Sequence, residues 1–332
     1  MAVRGYLGRY GPDIGLLTGE AGALVVRPGP AATDPSYLAF SPAGFLYAAI
    51  ESDKGGAVGA YAIDGDGLRP LGQRPTGGAG TCHVSVHPAG FVLSADYRSG
   101  TIAVHPIEAD GSLGDRTDLV HHEGGGPDPD RQDSSHAHMV VTEPSGDYVL
   151  AVDLGTDTAY RYRLSDGRLR AVAQARVPAG AGPRHVAFHP AGRFGYIANE
   201  LDSSVSVLDL ASFTVGATVR TQPSDDPRPS APSAIRVAAD GRFCYVANRG
   251  PDTVAVLAIS ADGADLRLAA TVPSGGEHPR DLVLAGGYMY VANQHSNTVT
   301  TFRTDTETGR PEPFGASLRT ARPSCLLFPP AS

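Results

Sequence analysis

Short segments of alternating hydrophobic and polar residues recur along the chain. In the best-defined copy, the apolar segment 185–188 leads into the turn 190–192, and the segments Tyr196-Ile197-Ala198-Asn199 and Ser204-Val205-Ser206-Val207 follow. An alternation with period two predicts strands rather than helices, and Pro-x-Gly segments predict turns. Each copy therefore predicts three consecutive antiparallel strands.

The turn glycine of this unit recurs six times, at intervals of 46, 56, 46, 49 and 45 residues, as Gly44, Gly90, Gly146, Gly192, Gly241 and Gly286. Asp-Gly pairs at 64–65, 110–111, 166–167 and 262–263 mark a further hairpin and a weaker fourth strand. Four strands in each unit of about 46 residues are typical of the blades of a β-propeller.

The two ends of the chain complete the blade count. Residues 322–328 match only the first strand of a unit, whereas residues 6–26 supply three more strand-like segments. We therefore predict an all-β fold, a single domain over residues 1–332 that forms a seven-bladed β-propeller with four antiparallel strands per blade. The predicted blades are 35–78, 79–134, 135–180, 181–230, 231–276, 277–320, and 321–332 with 1–30.

Composition narrows the function. Glycine and proline number 41 and 27, the formal net charge is −8, and no dense basic cluster occurs, so a nucleic-acid partner is not expected. Lys54 is the single lysine, which disfavours Schiff-base chemistry. Cys82, Cys244 and Cys325 are widely spaced in apolar sequence, which predicts buried thiols rather than disulfides or a zinc site.

Location and assembly are predicted more coarsely. The first residues lack the pattern of a secretory signal, and no run of 18 apolar residues occurs. The sequence thus predicts a cytoplasmic protein without a membrane partner, either a monomer or a homodimer. No motif indicates a cofactor or a metal ion. The longest interval between turn glycines reflects a polar loop at 121–132, and loops of this length are more often functional or mobile than structural.

The alignment of the units predicts a cluster of ionisable residues at one rim. In a propeller blade the first strand starts, and the second strand ends, at the same rim. The first-strand positions hold Ser36, Cys82, His138, Arg184, Ser233, Arg280 and Ser324, and the positions after the second strand hold Glu51, Tyr97, Leu154, Glu200, Arg249 and Gln294.

Catalytic residues are predicted from this rim, where His138, Arg184, Glu200 and Arg249 fall on consecutive blades. A histidine and a carboxylate can move protons while guanidinium groups hold an anion. Arg280, by blade symmetry, and Glu51 are predicted to contact the substrate. Each residue also has a structural interpretation, such as an ion pair between Arg184 and Glu200. For His87 and His189, in His-Pro-x-Gly turns, the structural role is favoured.

The chain resembles the lactonase family of seven-bladed β-propellers, which includes cycloisomerase-type 6-phosphogluconolactonases and fungal 3-carboxy-cis,cis-muconate lactonizing enzymes. The resemblance is sharpest at 135–138, 182–185, 199–203, 235–237 and 248–250. The family's site of a histidine, a glutamate and arginines implies corresponding residues here: His138 or its neighbour His136, Glu200, Arg184, and Arg249 or Arg236. His136 and Arg236 thus become candidate substrate-binding residues.

The resemblance implies an enzyme that hydrolyses a small anionic lactone, in particular a sugar lactone such as 6-phosphogluconolactone. Two alternatives stay open at the level of the sequence. One is a muconate-type cycloisomerase, which would use the same acid or base on a carbon next to a carboxylate. The other is a propeller that serves as a binding scaffold without catalysis.

Overall fold

A computed structural model describes residues 2–329, which form 29 β-strands. No helix occurs among these residues. Accordingly, the described part of the chain has no helical segment with the length and apolar character needed to span a bilayer.

The strands of the first three blades are β4–β15 in chain order. Blade 1 contains Pro35–Ser41, Phe45–Ile50, Ala57–Asp64 and Gly67–Pro75 (β4–β7). Blade 2 contains Thr81–His87, Phe91–Asp96, Thr101–Pro106 and Asp118–His121 (β8–β11). Blade 3 contains Ala137–Thr142, Val149–Asp153, Thr158–Ser165 and Arg168–Arg176 (β12–β15).

The strands of the other blades follow the same order. Blade 4 contains Pro183–Phe188, Phe194–Asn199, Ser204–Asp209 and Thr214–Arg220 (β16–β19). Blade 5 contains Ala231–Val237, Phe243–Arg249, Thr253–Ile259 and Leu266–Pro273 (β20–β23). Blade 6 contains Pro279–Ala285, Tyr288–Asn293, Thr298–Thr304, Pro311–Pro313 and Leu318–Arg319 (β24–β28). The closing blade contains Pro323–Leu327 (β29) with Ala2–Arg9, Asp13–Glu20 and Ala23–Ala31 (β1–β3).

The described strands form seven separate sheets. Neighbouring strands in these sheets pair antiparallel, as in blades 1, 4 and 5. The predicted fold class is therefore confirmed. The sheet order β29-β1-β2-β3 joins both ends of the chain in one blade, as the repeat analysis predicts. Blade 6 departs from four strands because β27 and β28 both pair with β26. Its outer strand is interrupted after Pro313, and Gly315 within the break has a positive φ of 68°.

Contacts divide the chain into two compact units. The N-terminal unit comprises residues 6–16 and 27–182 and holds blades 1 to 3. The C-terminal unit comprises residues 2–5, 17–26 and 183–329 and holds blades 4 to 6 with β29.

The six turn glycines share one backbone geometry. All have positive φ, between 58° at Gly286 and 86° at Gly44. In five of the six turns the glycine N–H donates to the carbonyl three residues earlier, as from Gly192 to His189 at 2.8 Å. Nδ1 of His189 also accepts the N–H of Ala191 at 3.2 Å. The predicted structural role of His189 in its turn is therefore confirmed. The turn position itself favours glycine, because a left-handed backbone disfavours a Cβ atom.

Neighbouring blades within each unit share a core of buried hydrophobic residues. In the C-terminal unit, blades 4 and 5 bury a cluster that includes Tyr196, Val207, Ile235 and Val246. The hydroxyl of Tyr196 donates to the carbonyl of Gly263 at 2.8 Å, which ties blade 4 to the Asp-Gly turn of blade 5. The three cysteines are buried and form no disulfide, as predicted.

A buried aspartate fixes the long loop of the N-terminal unit. Asp157 has left-handed backbone, with φ of 52°, in the turn before β14. Its carboxylate accepts the N–H groups of Gly180 and Gly182 at 2.7 and 2.8 Å and the side-chain amide of Gln132 at 2.7 Å. Gln132, in the loop predicted to be polar, is buried, and its amide also donates to the carbonyl of Leu154. The loop is therefore anchored rather than detached from the sheet.

Candidate active site

The first strands are irregular at the residues predicted to line the rim. In β16 the pairing register shifts around Arg184, and in β24 around Arg280. The same shift falls at Ser36 in β4, Cys82 in β8, His138 in β12 and Ser233-Ala234 in β20. An extra residue in one strand forms a β-bulge, which redirects a side chain away from the regular alternation. The rim positions are thus set apart by the backbone itself.

Three of the predicted catalytic residues meet in the C-terminal unit. One carboxylate oxygen of Glu200, Oε2, lies 3.1 Å from Nε of Arg184 and 2.6 Å from a terminal guanidinium nitrogen of Arg249. The three side chains are 5%, 4% and 10% exposed, respectively. The carboxylate therefore bridges two guanidinium groups out of solvent.

The start of β20 holds both guanidinium groups in place. Arg184 donates from a terminal nitrogen to the carbonyl of Ser233 at 2.6 Å. Arg249 donates from Nε to the carbonyl of Ala231 at 3.0 Å and from a terminal nitrogen to that of Pro232 at 3.3 Å. Because two positive charges face one negative charge, the cluster carries a net charge of +1. Such a preorganised positive site is suited to an anion or to a developing oxyanion.

The other two arginines predicted in this unit differ in their surroundings. Arg236 lies 3.1 Å from the buried carboxylate of Asp281, which also accepts the N–H of Leu326 at 2.8 Å. Arg236 is therefore part of a separate ion pair that ties blades 5, 6 and the closing blade together. Arg280 is half-buried at the bulge of β24. The structure thus places Arg249 against Glu200 and Arg236 against Asp281.

The two candidate histidines belong to the N-terminal unit and have different environments. His138 is 6% exposed, and its Nδ1 lies 3.9 Å from the thiol sulfur of Cys82. The ring of Tyr97 packs edge-on against it at 5.6 Å. The ring of His136 stacks on Tyr97 with centroids 4.5 Å apart. The backbone N–H of His136 donates to the carboxylate of Asp153 at 2.8 Å. His136 is thus held by its backbone as well as by its ring.

Glu51, the remaining predicted contact residue, also lies in the N-terminal unit. Its Oε2 accepts a hydrogen bond from the hydroxyl of Tyr10 at 2.8 Å. Glu51 is half-buried. Tyr10 in the loop after β1 thereby fixes the direction of this carboxylate.

A buried polar network in the N-terminal unit escaped the sequence analysis. His122 contacts Asp153 through Nδ1 at 2.7 Å and the hydroxyl of Tyr162 through Nε2 at 2.8 Å, and it stacks on Tyr160 with centroids 3.9 Å apart. These aromatic side chains line a cavity of about 520 Å³ between β11, β14 and β15. The feature of the sequence that could have indicated this network is Asp153, which occupies the position held by Asn199 in the alignment of blades.

Residues 2–329 offer no group of three or more His, Cys, Asp or Glu side chains arranged to hold a metal ion. The Glu200 cluster itself supplies one carboxylate and two guanidinium groups. These groups can bind an anion, stabilise negative charge on an oxygen and move a proton.

Comparison with known proteins matches the chain to a family. The model of the lactonase family, described as a seven-bladed β-propeller, matches residues 19–328. A 6-phosphogluconolactonase of Bacillus subtilis (strain 168) is 36% identical over 305 residues, with 89% of this chain and 87% of that protein covered. A 6-phosphogluconolactonase of Formosa agariphila is 30% identical over 291 residues, with 83% of this chain and 82% of that protein covered.

Among solved structures, a periplasmic gluconolactonase of Pseudomonas aeruginosa superposes with a TM-score of 0.93 at 29% identity, with 100% of both chains covered. A protein from Lactobacillus plantarum superposes with a TM-score of 0.94 at 34% identity, with 99% of this chain and 100% of that chain covered. The likeness extends over the whole described chain and includes the blade that joins its two ends.

Proposed function

The chain belongs to the lactonase family of seven-bladed β-propellers, and we propose that it hydrolyses a sugar lactone of the 6-phosphogluconolactone type. The relatives named as 6-phosphogluconolactonases and the gluconolactonase structure support this substrate class. The observation that carries the proposal is the bridge from Glu200 to Arg184 and Arg249, because it builds a buried positive site at the rim predicted to be catalytic.

The proposed reaction is the addition of water to the lactone carbonyl. Glu200 or His138 takes a proton from the water as its oxygen bonds to the carbonyl carbon. Arg184 stabilises the negative charge that develops on the carbonyl oxygen. The tetrahedral intermediate then collapses, the ring C–O bond breaks, and the departing alkoxide takes the proton that the base had removed from water. The product is the open-chain hydroxy acid, which loses its carboxylic proton to the solvent.

The second arginine has a different proposed role. Arg249 binds the substrate's phosphate or carboxylate, because a planar guanidinium forms paired hydrogen bonds with such groups. Its hydrogen bonds to the backbone of β20 orient it before the substrate arrives. Arg280 and Glu51 are proposed as further contacts with the polar groups of the substrate.

The test is a panel assay of purified protein on phosphorylated and unphosphorylated aldonolactones and on muconolactones. We expect acceleration of aldonolactone hydrolysis, and a reduction of about 100- to 1,000-fold in kcat for Arg184→Ala. The matched control is Arg193→Ala, an exposed arginine that pairs with Asp209 at 3.4 Å on the surface. Turnover of muconolactones alone would replace the proposal with a cycloisomerase, and turnover of neither class would favour a scaffold.

A further inference from the structure

Gln294 occupies the position in blade 6 that Glu200 occupies in blade 4 and Arg249 in blade 5. Each of the three follows an asparagine at the end of the second strand, and the asparagine here is Asn293. The side chain of Gln294 is 7% exposed. Its Oε1 atom has no hydrogen-bond partner among residues 2–329. A buried amide oxygen without a partner is an acceptor that a ligand can satisfy.

His278 connects Gln294 to the arginine cluster. The N–H of Gln294 donates to the carbonyl of His278 at 3.0 Å. The N–H of His278 in turn donates at 2.8 Å to Oδ1 of Asp252, in the turn that directly follows Arg249. Two hydrogen bonds therefore link Gln294 through His278 to Asp252, and one short turn links Asp252 to Arg249.

The imidazole of His278 presents a neutral surface beside these charges. Its ring stacks on that of His295 with centroids 3.9 Å apart. Burial lowers the pKa of His278 to about 3, and the positive charges of Arg249, His295, Arg280 and Arg184 act in the same direction. At neutral pH the side chain therefore adds hydrogen-bonding capacity without adding charge.

We infer that Gln294 is a specificity-determining residue that accepts a hydrogen bond from a hydroxyl group of a polyhydroxylated lactone, next to the stacked rings of His278 and His295. This inference rests on the proposed function, since it assigns part of the same site. A ligand that satisfies both features carries an anionic group for the arginines and a hydroxyl group for Gln294. Phosphorylated sugar lactones meet this description, whereas muconolactones lack the hydroxyl group.

The experiment compares Gln294→Met, which keeps the length of the side chain without hydrogen-bonding atoms, with the wild-type protein. Substrates are 6-phosphogluconolactone and its analogues that each lack one ring hydroxyl. We expect Gln294→Met to lower kcat/KM for the parent lactone by about 3- to 10-fold. For one deoxy analogue the substitution should have no further effect, because the partner hydroxyl is already missing.

Gln73→Met is the matched control, since Gln73 is exposed on the outer strand β7. It should leave kcat/KM unchanged for every substrate. Equal losses of kcat/KM in Gln294→Met for the parent lactone and for all deoxy analogues would overturn the inference. Circular dichroism and the midpoint of thermal unfolding establish that the variants are folded.

A binding measurement separates this inference from the proposed function. If the wild-type protein hydrolyses no lactone, the proposed function fails, and calorimetric titration with 6-phosphogluconate then decides the inference alone. Binding that is about 3- to 10-fold weaker in Gln294→Met supports it. Equal affinity in the two proteins, or no binding to either, overturns it.

Discussion

Asp157 accepts the backbone N–H of Gly182 at 2.8 Å, two residues before Arg184 in the chain. The same carboxylate holds Gln132 of the long loop, so one buried group fixes both the loop and the approach to the first strand of blade 4. A similar aspartate lies in blade 5. Asp252, also with positive φ, accepts the N–H of His278 in the same way.

Replacement of Asp157 by alanine should destabilise the protein by about 3 kcal/mol, because three donors, two of them buried, lose a charged acceptor. The free energy of unfolding in urea measures the loss. Asp157→Asn keeps an acceptor and tolerates left-handed backbone, so it should cost less. Equal losses for the two substitutions would show that a neutral acceptor contributes nothing there and would contradict this expectation.

Glu200→Gln should reduce both activity and stability. The substitution removes the charge that two buried guanidinium groups share, and disruption of a buried ion pair typically costs about 3 to 5 kcal/mol. The readouts are kcat/KM on the lactone panel and urea unfolding. The exposed Glu312→Gln on β27 is the control and should change neither. A fully stable and fully active Glu200→Gln protein would contradict the assigned bridge.

Substitution of His138 should lower kcat more than substitution of His136. His138→Gln is expected to lower kcat by about 100-fold or more, as for the loss of a general base. His136→Gln should retain more activity, because its backbone hydrogen bond to Asp153 survives the change. The opposite order of rates would assign the proton transfer to His136.

The acid stability of the protein should depend on His278. Its pKa lies near 3 in the folded state against an ordinary value of 6.5, so between these values the unfolded chain binds more protons. The free energy of unfolding therefore falls as the pH drops below about 6.5. His278→Asn, which suits the positive φ of 58° at this position, should flatten the decline between pH 7 and pH 5. The exposed His121→Asn should not.

Gly5 should be intolerant of any side chain. A Cβ atom there would lie 2.8 Å from the carbonyl oxygen of Leu327 and 2.6 Å from the ring of Phe328, where β1 passes the end of the chain. Gly5→Ala should destabilise the protein by about 1 to 3 kcal/mol. Gly216→Ala on β19 is the control, since its Cβ would meet nothing closer than 3.8 Å. Denaturant midpoints of the two variants should therefore differ clearly.

The architecture could be predicted because the repeat is local. Turn glycines, alternating apolar residues and Asp-Gly pairs each specify a hairpin from a few neighbouring residues, and their spacing gives the blade count. The grouping of Arg184, Glu200 and Arg249 followed from the same alignment. The extent of the domain and the catalytic roles of the rim residues stay predictions.

Other features could not be predicted because they depend on distant contacts. The choice of Arg249 over Arg236 beside Glu200 depends on Asp281, which pairs with Arg236 from another blade. The burial of Gln132 depends on Asp157, 25 residues later in the chain. The unpartnered Oε1 of Gln294 is a property of its packing and has no signature in the sequence.

The bulges at the start of the first strands have an evolutionary consequence. Six sheets repeat the same backbone irregularity, yet the side chains it directs range from serine and cysteine to histidine and arginine. The scaffold therefore tolerates very different chemistry at these positions without a change in its hydrogen-bonded framework. Single substitutions at a bulge can therefore change the side chain displayed there during evolution, while the hairpins that stabilise the fold stay as they are.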